Sequence, residues 1–414
     1  MSEFTNPEFT SSELTHAPDG QGAQAEITHR YSRAMMQTFA TPKRVFVRGE
    51  GIHLWDAEGN RHQDMLSGLA VTSLGQAHPA VLSAVTSQLS TLGHVSNLFA
   101  TPSQVALAER LVSTVLAAEP GTARVFFTNS GTEANEAAFK VTRLTGRTKL
   151  VAMEGSFHGR TAAALAITHS PAYRIPFEPL PGEVVFVPYG DLDALRGAVD
   201  DQTAAVVMEP IQGENGVVVP PPGYLQAVRE LTRQHGALLW IDEVQTGMGR
   251  TGQWLASAGV EADLVTVAKG LGNGFPIGAL LARGGAATLL QPGHHGTTFG
   301  GNPVAAIAGL AVMAVIERDE LLENARARGD QLASEIEGLP LVDHVRGAGL
   351  LRGVQFIGDI AVRVNDALLE RGFITNAPRP SVLRVAPPLI ITAEQVTAFT
   401  TALGEVLEAI AGDV

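Results

Sequence analysis

From Ala123 onward the chain alternates short apolar, β-branched runs with helical stretches, and this most limits what it can fold into. The runs are ARVFFT, KLVAME, EVVFVP, AAVVME, ALLWIDE and LVTVAK. Several are continuously apolar rather than alternating, as strands are when both faces of their sheet are covered. Between them lie periodic segments such as GTEANEAAFKVTRLTG (131–146) and PGYLQAVRELTRQHG (222–236), the latter ending in Gly236 as a C′ glycine. Strand–helix alternation of this kind predicts an α/β fold with a mostly parallel central sheet. Such sheets bind ligands beyond the carboxyl ends of their strands, so chemistry is to be sought in the residues that end each run.

The flanks read differently. GEGIHLWDAEGNRHQDML predicts a hairpin turning near Glu58–Gly59. After Pro303, AAIAGLAVMAVIERDELLENARARGDQLASEI reads as one long helix-prone stretch, LVDHVRGAGLLRGVQF as strands, and TAEQVTAFTTALGEVLEAI as a last helix capped by Thr392. A large domain is expected over about 70–304, with a smaller α+β domain built from 25–69 and 305–414. Residues 1–24 are Ser/Thr/Gly/Pro-rich without periodicity and predict a flexible tail.

Composition excludes some classes. With 42 acidic and 29 basic side chains the net charge is −13, which argues against a nucleic-acid or anionic-membrane partner. There is no cysteine, hence no disulfide, thiolate metal site or cysteine nucleophile. No apolar run has the length of a bilayer span, and the N-terminal segment lacks a basic region followed by an apolar core, so a soluble cytoplasmic chain is expected.

Four segments carry chemistry. TNSGTEANE (128–136) follows a strand and opens a helix; Gly131 lets a ligand approach the backbone, and with Thr132 it offers unpaired N–H groups at a positive dipole end, a phosphate site. The same residues also suit an ordinary helix start, with Ser130 and Glu133 forming a capping box. Asp242, ending LLWID, needs a cationic or donor partner, which a protonated pyridine nitrogen supplies as well as a neighbouring loop does, with Gln245 in reach of the same ligand. Lys269 ends LVTVAK before three glycines in five residues; burial there favours the neutral amine that imine formation requires. HGTTFGGNP (295–303) offers a second phosphate contact through Thr298, or is a plain glycine-rich loop. The adjacent His294 and His295 lack the spaced carboxylates of a metal site, and no metal is expected.

Together, LLWIDEVQTGMGRTG and DLVTVAKGLGNGFPIGA, with the two phosphate segments, resemble the class III (subgroup II) pyridoxal 5'-phosphate (PLP)-dependent aminotransferases of fold-type I, over roughly residues 28–410. The resemblance implies that Lys269 forms the Schiff base with PLP and shuttles the proton. It further implies that Asp242 pairs with the pyridinium nitrogen, that Val244 and Phe157 cover the two ring faces, and that Gln245 contacts the phenolic oxygen. Gly131 and Thr132 would hold the phosphate, joined by Thr298 from the other subunit of a homodimer.

Within the class, TNSGTEANEAAFK, SGLAVTSLGQAHP, HVSNLF and VLRVAPPLIIT look most like members that exchange the δ-amino group of N-acetylornithine with 2-oxoglutarate in arginine biosynthesis. That likeness implies that Arg384 grips the α-carboxylate of glutamate or 2-oxoglutarate, that Glu214 masks Arg384 when the donor is bound, and that Arg160 takes the more distant carboxylate, or the α-carboxylate of N-acetylornithine. Asn97 would line the substrate channel. Without the resemblance, these charges read first as surface or interdomain ion pairs, which are far commoner than substrate clamps. Gln76 departs from the family's LGHxHP. Succinylornithine, ornithine, acetyllysine and 4-aminobutyrate remain as alternative donors. An NAD-dependent oxidoreductase is the alternative from another class, against which GLGNG lacks the G-x-G-x-x-G spacing.

Overall fold

A computed structural model describes residues 22–412. The predicted tail therefore lies outside the described residues except for its last three, where a helix, Ala23–Ala34, already begins. Three strands follow, β1 (Phe46–Glu50), β2 (His53–Asp56) and β3 (Arg61–Asp64). The turn between β2 and β3 falls where the hairpin was expected, with Gly59 at φ 86°. Asp56 secures it by accepting hydrogen bonds from the N–H groups of Glu58 (3.0 Å) and Asn60 (2.8 Å).

The centre is a seven-stranded sheet of β4 (Ala123–Thr128), β5 (Lys149–Met153), β6 (Glu183–Val187), β7 (Thr203–Met208), β8 (Leu238–Asp242), β9 (Leu264–Val267) and β10 (Gly278–Arg283). Their spatial order is β4-β10-β9-β8-β7-β5-β6. Strands β5 to β9 pair in parallel, and only β10 runs against its neighbours β9 and β4. The mostly parallel α/β sheet is thus as the alternation predicts, and all six residues of β7 are buried. Trp240, on β8, is fully buried, and burying a side chain of this type contributes roughly 1.5–3 kcal/mol or more.

The C-terminal part adds β11 (Val342–Ala348), β12 (Leu351–Phe356), β13 (Phe373–Ile374), β14 (Asn376–Arg379) and β15 (Val382–Val385). Strand β13 crosses to pair with β3, so both ends of the chain share one sheet, while β11, β12, β15 and β14 form a third. The stretch after Pro303 is two helices, Pro303–Arg318 and Leu321–Ile336. They part at Asp319, whose carboxylate pairs with Arg318, and at Glu320, which turns left-handed at φ 51°. Thr392 caps the last helix, Ala393–Gly412, accepting from the N–H of Gln395 (3.3 Å) while Gln395 Oε1 accepts from the N–H of Thr392 (2.9 Å). Among the described residues, no helix is long and apolar enough to cross a membrane.

Candidate active site

Because β4, β7, β8 and β9 run the same way, their carboxyl ends open together onto a cavity of about 390 Å³. The helix Gly131–Arg143 starts at one end of it. Ser130 caps that helix through the N–H of Glu133 (3.3 Å), and Glu133 Oε2 returns to the N–H and side-chain amide of Asn129, both at 2.8 Å. The capping box and the phosphate site are therefore compatible: the cap uses the third N–H of the helix, and those of Gly131 and Thr132 remain unused by it. A Cβ on Gly131 would lie 2.7 Å from Val244, so only glycine leaves room there. At Gly159 (φ 136°) a Cβ would strike the Thr132 hydroxyl, which is bonded to that of Thr161 at 2.8 Å.

Asp242 is buried at the foot of the cavity and held on three sides. Its Oδ1 accepts from the N–H of Val244 (3.0 Å); its Oδ2 accepts from Asn135 Nδ2 (2.8 Å) and meets His158 Nδ1 (2.7 Å). Burial disfavours the imidazolium of His158, but the hydrogen bond and charge of Asp242 outweigh it and raise the pKa. The far ring nitrogen, Nε2, is buried without a partner.

Lys269 stands two residues past β9, at φ 44°, a left-handed conformation that costs a non-glycine residue about 1–3 kcal/mol. Asn273 braces the loop behind it, accepting from the N–H of Leu74 (2.7 Å) and donating to the carbonyl of Gly75 (3.0 Å). Burial pushes the Lys269 amine below its ordinary pKa; Arg384 adds to this, while Glu214, Asp242 and Glu209 oppose it. The result is an amine biased toward its neutral, nucleophilic form.

Arg384, on β15, is almost fully buried beside the cavity. One guanidinium nitrogen donates to Glu214 Oε1 (2.6 Å) and Gln245 Oε1 (3.0 Å), the other to Asn376 Oδ1 (2.8 Å), and its Nε is buried without a partner. Burial raises the Glu214 pKa, but the charge and hydrogen bond of Arg384 more than offset this and hold it below the ordinary value. Only the glutamate of this pair reaches solvent, at 33% against 1% exposed, so the acid is the movable partner.

Glu209, just past β7, was not singled out from sequence. Burial, reinforced by the charges of Asp242 and Glu214, raises its pKa to about 8, against the charge of His158 and a hydrogen bond from the N–H of Phe157 (3.1 Å). Its folded value lies above its unfolded one, near 4.5, so the stability of the protonated form is complete below that pH and is lost as pH rises toward 8. Glu209→Gln keeps the acceptor for Phe157 and removes the titration. It is expected to flatten the fall in Tm between about pH 4.5 and 8; a variant profile parallel to that of the parent would contradict this.

Of the residues expected from sequence, Gly131, Thr132, Phe157, Arg160 and Glu214 line the cavity together. So do Asp242, Val244, Gln245 and Lys269. Thr298 is exposed and lies outside the cavity of its own chain. Asn97 is also outside: its amide donates to the carbonyls of Thr297 and Gly300, both at 3.1 Å, and accepts from Gln104 (2.9 Å), so it braces the loop that carries Thr298. Lys140 holds the same loop through the carbonyl of His294 (2.6 Å) and His295 Nδ1 (3.2 Å). Asn135, His158 and Glu209 were missed. The two adjacent to named motifs carried a usable signal, since Asn135 lies one turn into the phosphate helix and His158 next to Phe157.

This donor set fits a flat cationic ring bearing a phosphate ester and a carbonyl. Two unused helix N–H groups and the bare Gly131 suit the phosphate, Asp242 suits a ring N–H, and the Lys269 amine suits the carbonyl carbon. A profile of the aminotransferase class-III family matches residues 35–407. An acetylornithine aminotransferase from Mycolicibacterium smegmatis is 56% identical over 392 residues, 94% of this chain and 99% of that one. One from Streptomyces coelicolor is 54% identical over 388 residues, 92% and 96% of the two chains. Among solved structures, an ornithine aminotransferase from Toxoplasma gondii, with PLP at partial occupancy in its active site, is similar at a TM-score of 0.91 and 30% identity, covering 98% of this chain and 99% of that one. The acetylornithine aminotransferase of Elizabethkingia anophelis is similar at a TM-score of 0.82 and 31% identity, covering 93% and 99%.

Proposed function

This chain belongs to the class-III aminotransferases, and we propose that within that family it transfers the δ-amino group of N-acetylornithine to 2-oxoglutarate, in arginine biosynthesis. The products are N-acetylglutamate semialdehyde and glutamate. PLP is the cofactor; when bound it supplies an electron sink for charge developing on the carbon that carries the amino group. The N–H groups of Gly131 and Thr132 would hold its phosphate, Val244 and Phe157 its ring faces, and Gln245 its phenolic oxygen. Asp242 would face the ring nitrogen, fixed there by Asn135, His158 and the N–H of Val244. Lys269 would take a proton from the δ-carbon of the donor and, in the second half-reaction, deliver one to the α-carbon of 2-oxoglutarate, a role its depressed pKa favours.

The observation that carries the reading is the ion pair between buried Arg384 and half-buried Glu214 beside Lys269. A two-substrate transaminase must admit an ω-amine in one half-reaction and an α-keto diacid in the other. With Glu214 in place, Arg384 is neutralised and a donor is not seized by its α-carboxylate at the wrong end. With Glu214 swung toward solvent, the guanidinium fork is open to 2-oxoglutarate. Arg160 then serves the more remote carboxylate.

Ornithine is the second reading, favoured by the close backbone match to an ornithine aminotransferase. Backbone similarity reflects the fold the whole family shares, whereas the acetylornithine aminotransferase from Mycolicibacterium smegmatis is 56% identical to this chain against 30% for the ornithine enzyme. Incubating the holoenzyme with N-acetylornithine and 2-oxoglutarate is expected to yield equal amounts of glutamate and semialdehyde. Glutamate formed from ornithine but not from N-acetylornithine would overturn the substrate assignment.

A cytoplasmic homodimer completes the proposal. Leu98, Phe99 and Phe299 are 86%, 65% and 59% exposed, an apolar surface around the loop that carries Thr298. A second copy covering it would bring Thr298 to the partner's phosphate site. Sedimentation is expected to give twice the chain mass, and a monomer that retains full activity would contradict this assembly.

A further inference from the structure

Arg160 lines the cavity, yet among the described residues it makes no ion pair or hydrogen bond. What touches its guanidinium is aromatic. The Cζ atom lies 3.4 Å from the ring centroid of Tyr173 and 5.4 Å from that of Phe157, and the two rings meet edge-on at 86° with centroids 6.5 Å apart. Tyr173, in the short helix Pro171–Arg174, lies behind Arg160 and is not among the residues that line the cavity.

We propose that Tyr173 is a positioning residue for substrate recognition: its ring face parks the Arg160 guanidinium at the cavity wall, leaving the N–H edge free for the carboxylate of the amino donor. This rests on the reading of Arg160 as a carboxylate grip. The physical argument is one of pre-organisation. A free arginine side chain has large rotamer entropy to lose when it grips a ligand, and an aromatic face that already holds the planar cation removes part of that loss. Stacking occupies the flat face of the guanidinium and none of its donors, so all remain for the ligand. An acidic partner at the same place would hold the arginine as well but would neutralise it. Phe157 ties the device to the site, since it braces Tyr173 edge-on and lines the cavity.

The test uses holoenzyme and three probes: N-acetylornithine; N-acetylputrescine, which has the same amine but no carboxylate; and N-acetylnorvaline, which has the carboxylate but no reactive amine. Rates with the two amines come from the change in cofactor absorbance, and affinity for N-acetylnorvaline from calorimetry. Tyr173→Leu, which keeps apolar volume without a π face, is expected to lower the second-order constant for N-acetylornithine about fivefold and to weaken N-acetylnorvaline by a similar factor. The rate with N-acetylputrescine should not change, and Tyr173→Phe should restore parental values. Equal slowing of both amines, or a phenylalanine variant as impaired as the leucine one, would overturn the proposal. Arg160→Leu separates the two layers. If it fails to discriminate between the amines, the carboxylate role of Arg160 is wrong and the Tyr173 inference falls with it. If it discriminates and Tyr173→Leu does not, only the inference about Tyr173 is wrong.

Discussion

Lys269→Ala is expected to give a folded protein without the borohydride-reducible visible absorbance of the parent, and with transamination lowered by at least about 10³-fold. The size follows from two functions lost together: the amine that captures the cofactor carbonyl and the group that carries the proton. Stability should hardly move, because among the described residues the amine makes no hydrogen bond or ion pair whose loss would orphan a neighbour, and alanine inherits the same left-handed backbone at φ 44°. Taking an amine of lowered pKa out of a site lined by Glu214, Asp242 and Glu209 removes a poorly solvated group rather than a structural one. A variant that still forms the reducible chromophore would show that another residue holds the cofactor. Exogenous methylamine is expected to restore part of the proton transfer, measured as a concentration-dependent rate.

Arg384→Ala should divide the two half-reactions. The 2-oxoglutarate half loses a buried, charge-assisted grip on its carboxylate, worth roughly 3–4 kcal/mol, so a fall of about 10²–10³-fold is expected there. The donor half, in which Arg384 is masked by Glu214, should change by no more than a few-fold. Equal loss in both halves would refute the switch. The variant also strands Glu214, which in the parent sits below its ordinary pKa of 4.5 because of Arg384. A depressed carboxylate contributes stability that is present above its unfolded pKa and is lost as pH falls through its folded value. The stability gap between parent and variant should therefore be widest near neutrality and should narrow as pH falls below 4.5. Because Glu214 is one-third exposed, that gap is expected to be modest. Lysine is a poor replacement, since it offers a point charge where Arg384 serves Glu214 and Gln245 from one guanidinium nitrogen and Asn376 from another.

What was legible in the sequence follows the physics of each element. Strands buried on both faces announce themselves as unbroken apolar runs, so the parallel part of the central sheet could be read directly, and with it the placing of Asp242 and Lys269 near strand ends. Strand β10, the antiparallel one, was not distinguished: GALLAR follows the glycine-rich loop after Lys269, and its pairing with β4 is a contact across 150 residues of sequence that no local pattern encodes. The break at Asp319–Glu320 was missed for a related reason. Both residues tolerate a helix, and it is the Arg318–Asp319 pair and the left-handed Glu320 that end it.

At the site, the residues named from sequence are those whose own chemistry suits a ligand, and most of them line one cavity, whereas those that act on other protein groups were not singled out. His158 and Asn135 matter because they hold Asp242, and that relation exists only once β8 and the helix after β4 are side by side. Glu209 follows β7 as Asp242 ends β8, and its neutral form depends on total burial that sequence does not reveal. Asn97, which the resemblance places along the substrate channel, gives its amide to the carbonyls of Thr297 and Gly300, a long-range relation that its local sequence does not announce.

The central claim is that this site takes its amino group from N-acetylornithine. Single-turnover spectra of the holoenzyme, mixed in turn with N-acetylornithine, succinylornithine, ornithine, acetyllysine and 4-aminobutyrate and with no keto acid present, test it most directly. The account predicts that N-acetylornithine bleaches the bound-cofactor absorbance at least about tenfold faster, per unit concentration, than ornithine or 4-aminobutyrate, because ornithine brings a second charged amine to desolvate, while 4-aminobutyrate holds its carboxylate one carbon closer to the amine and has no acylamino group. Faster bleaching by ornithine or 4-aminobutyrate than by N-acetylornithine would contradict it.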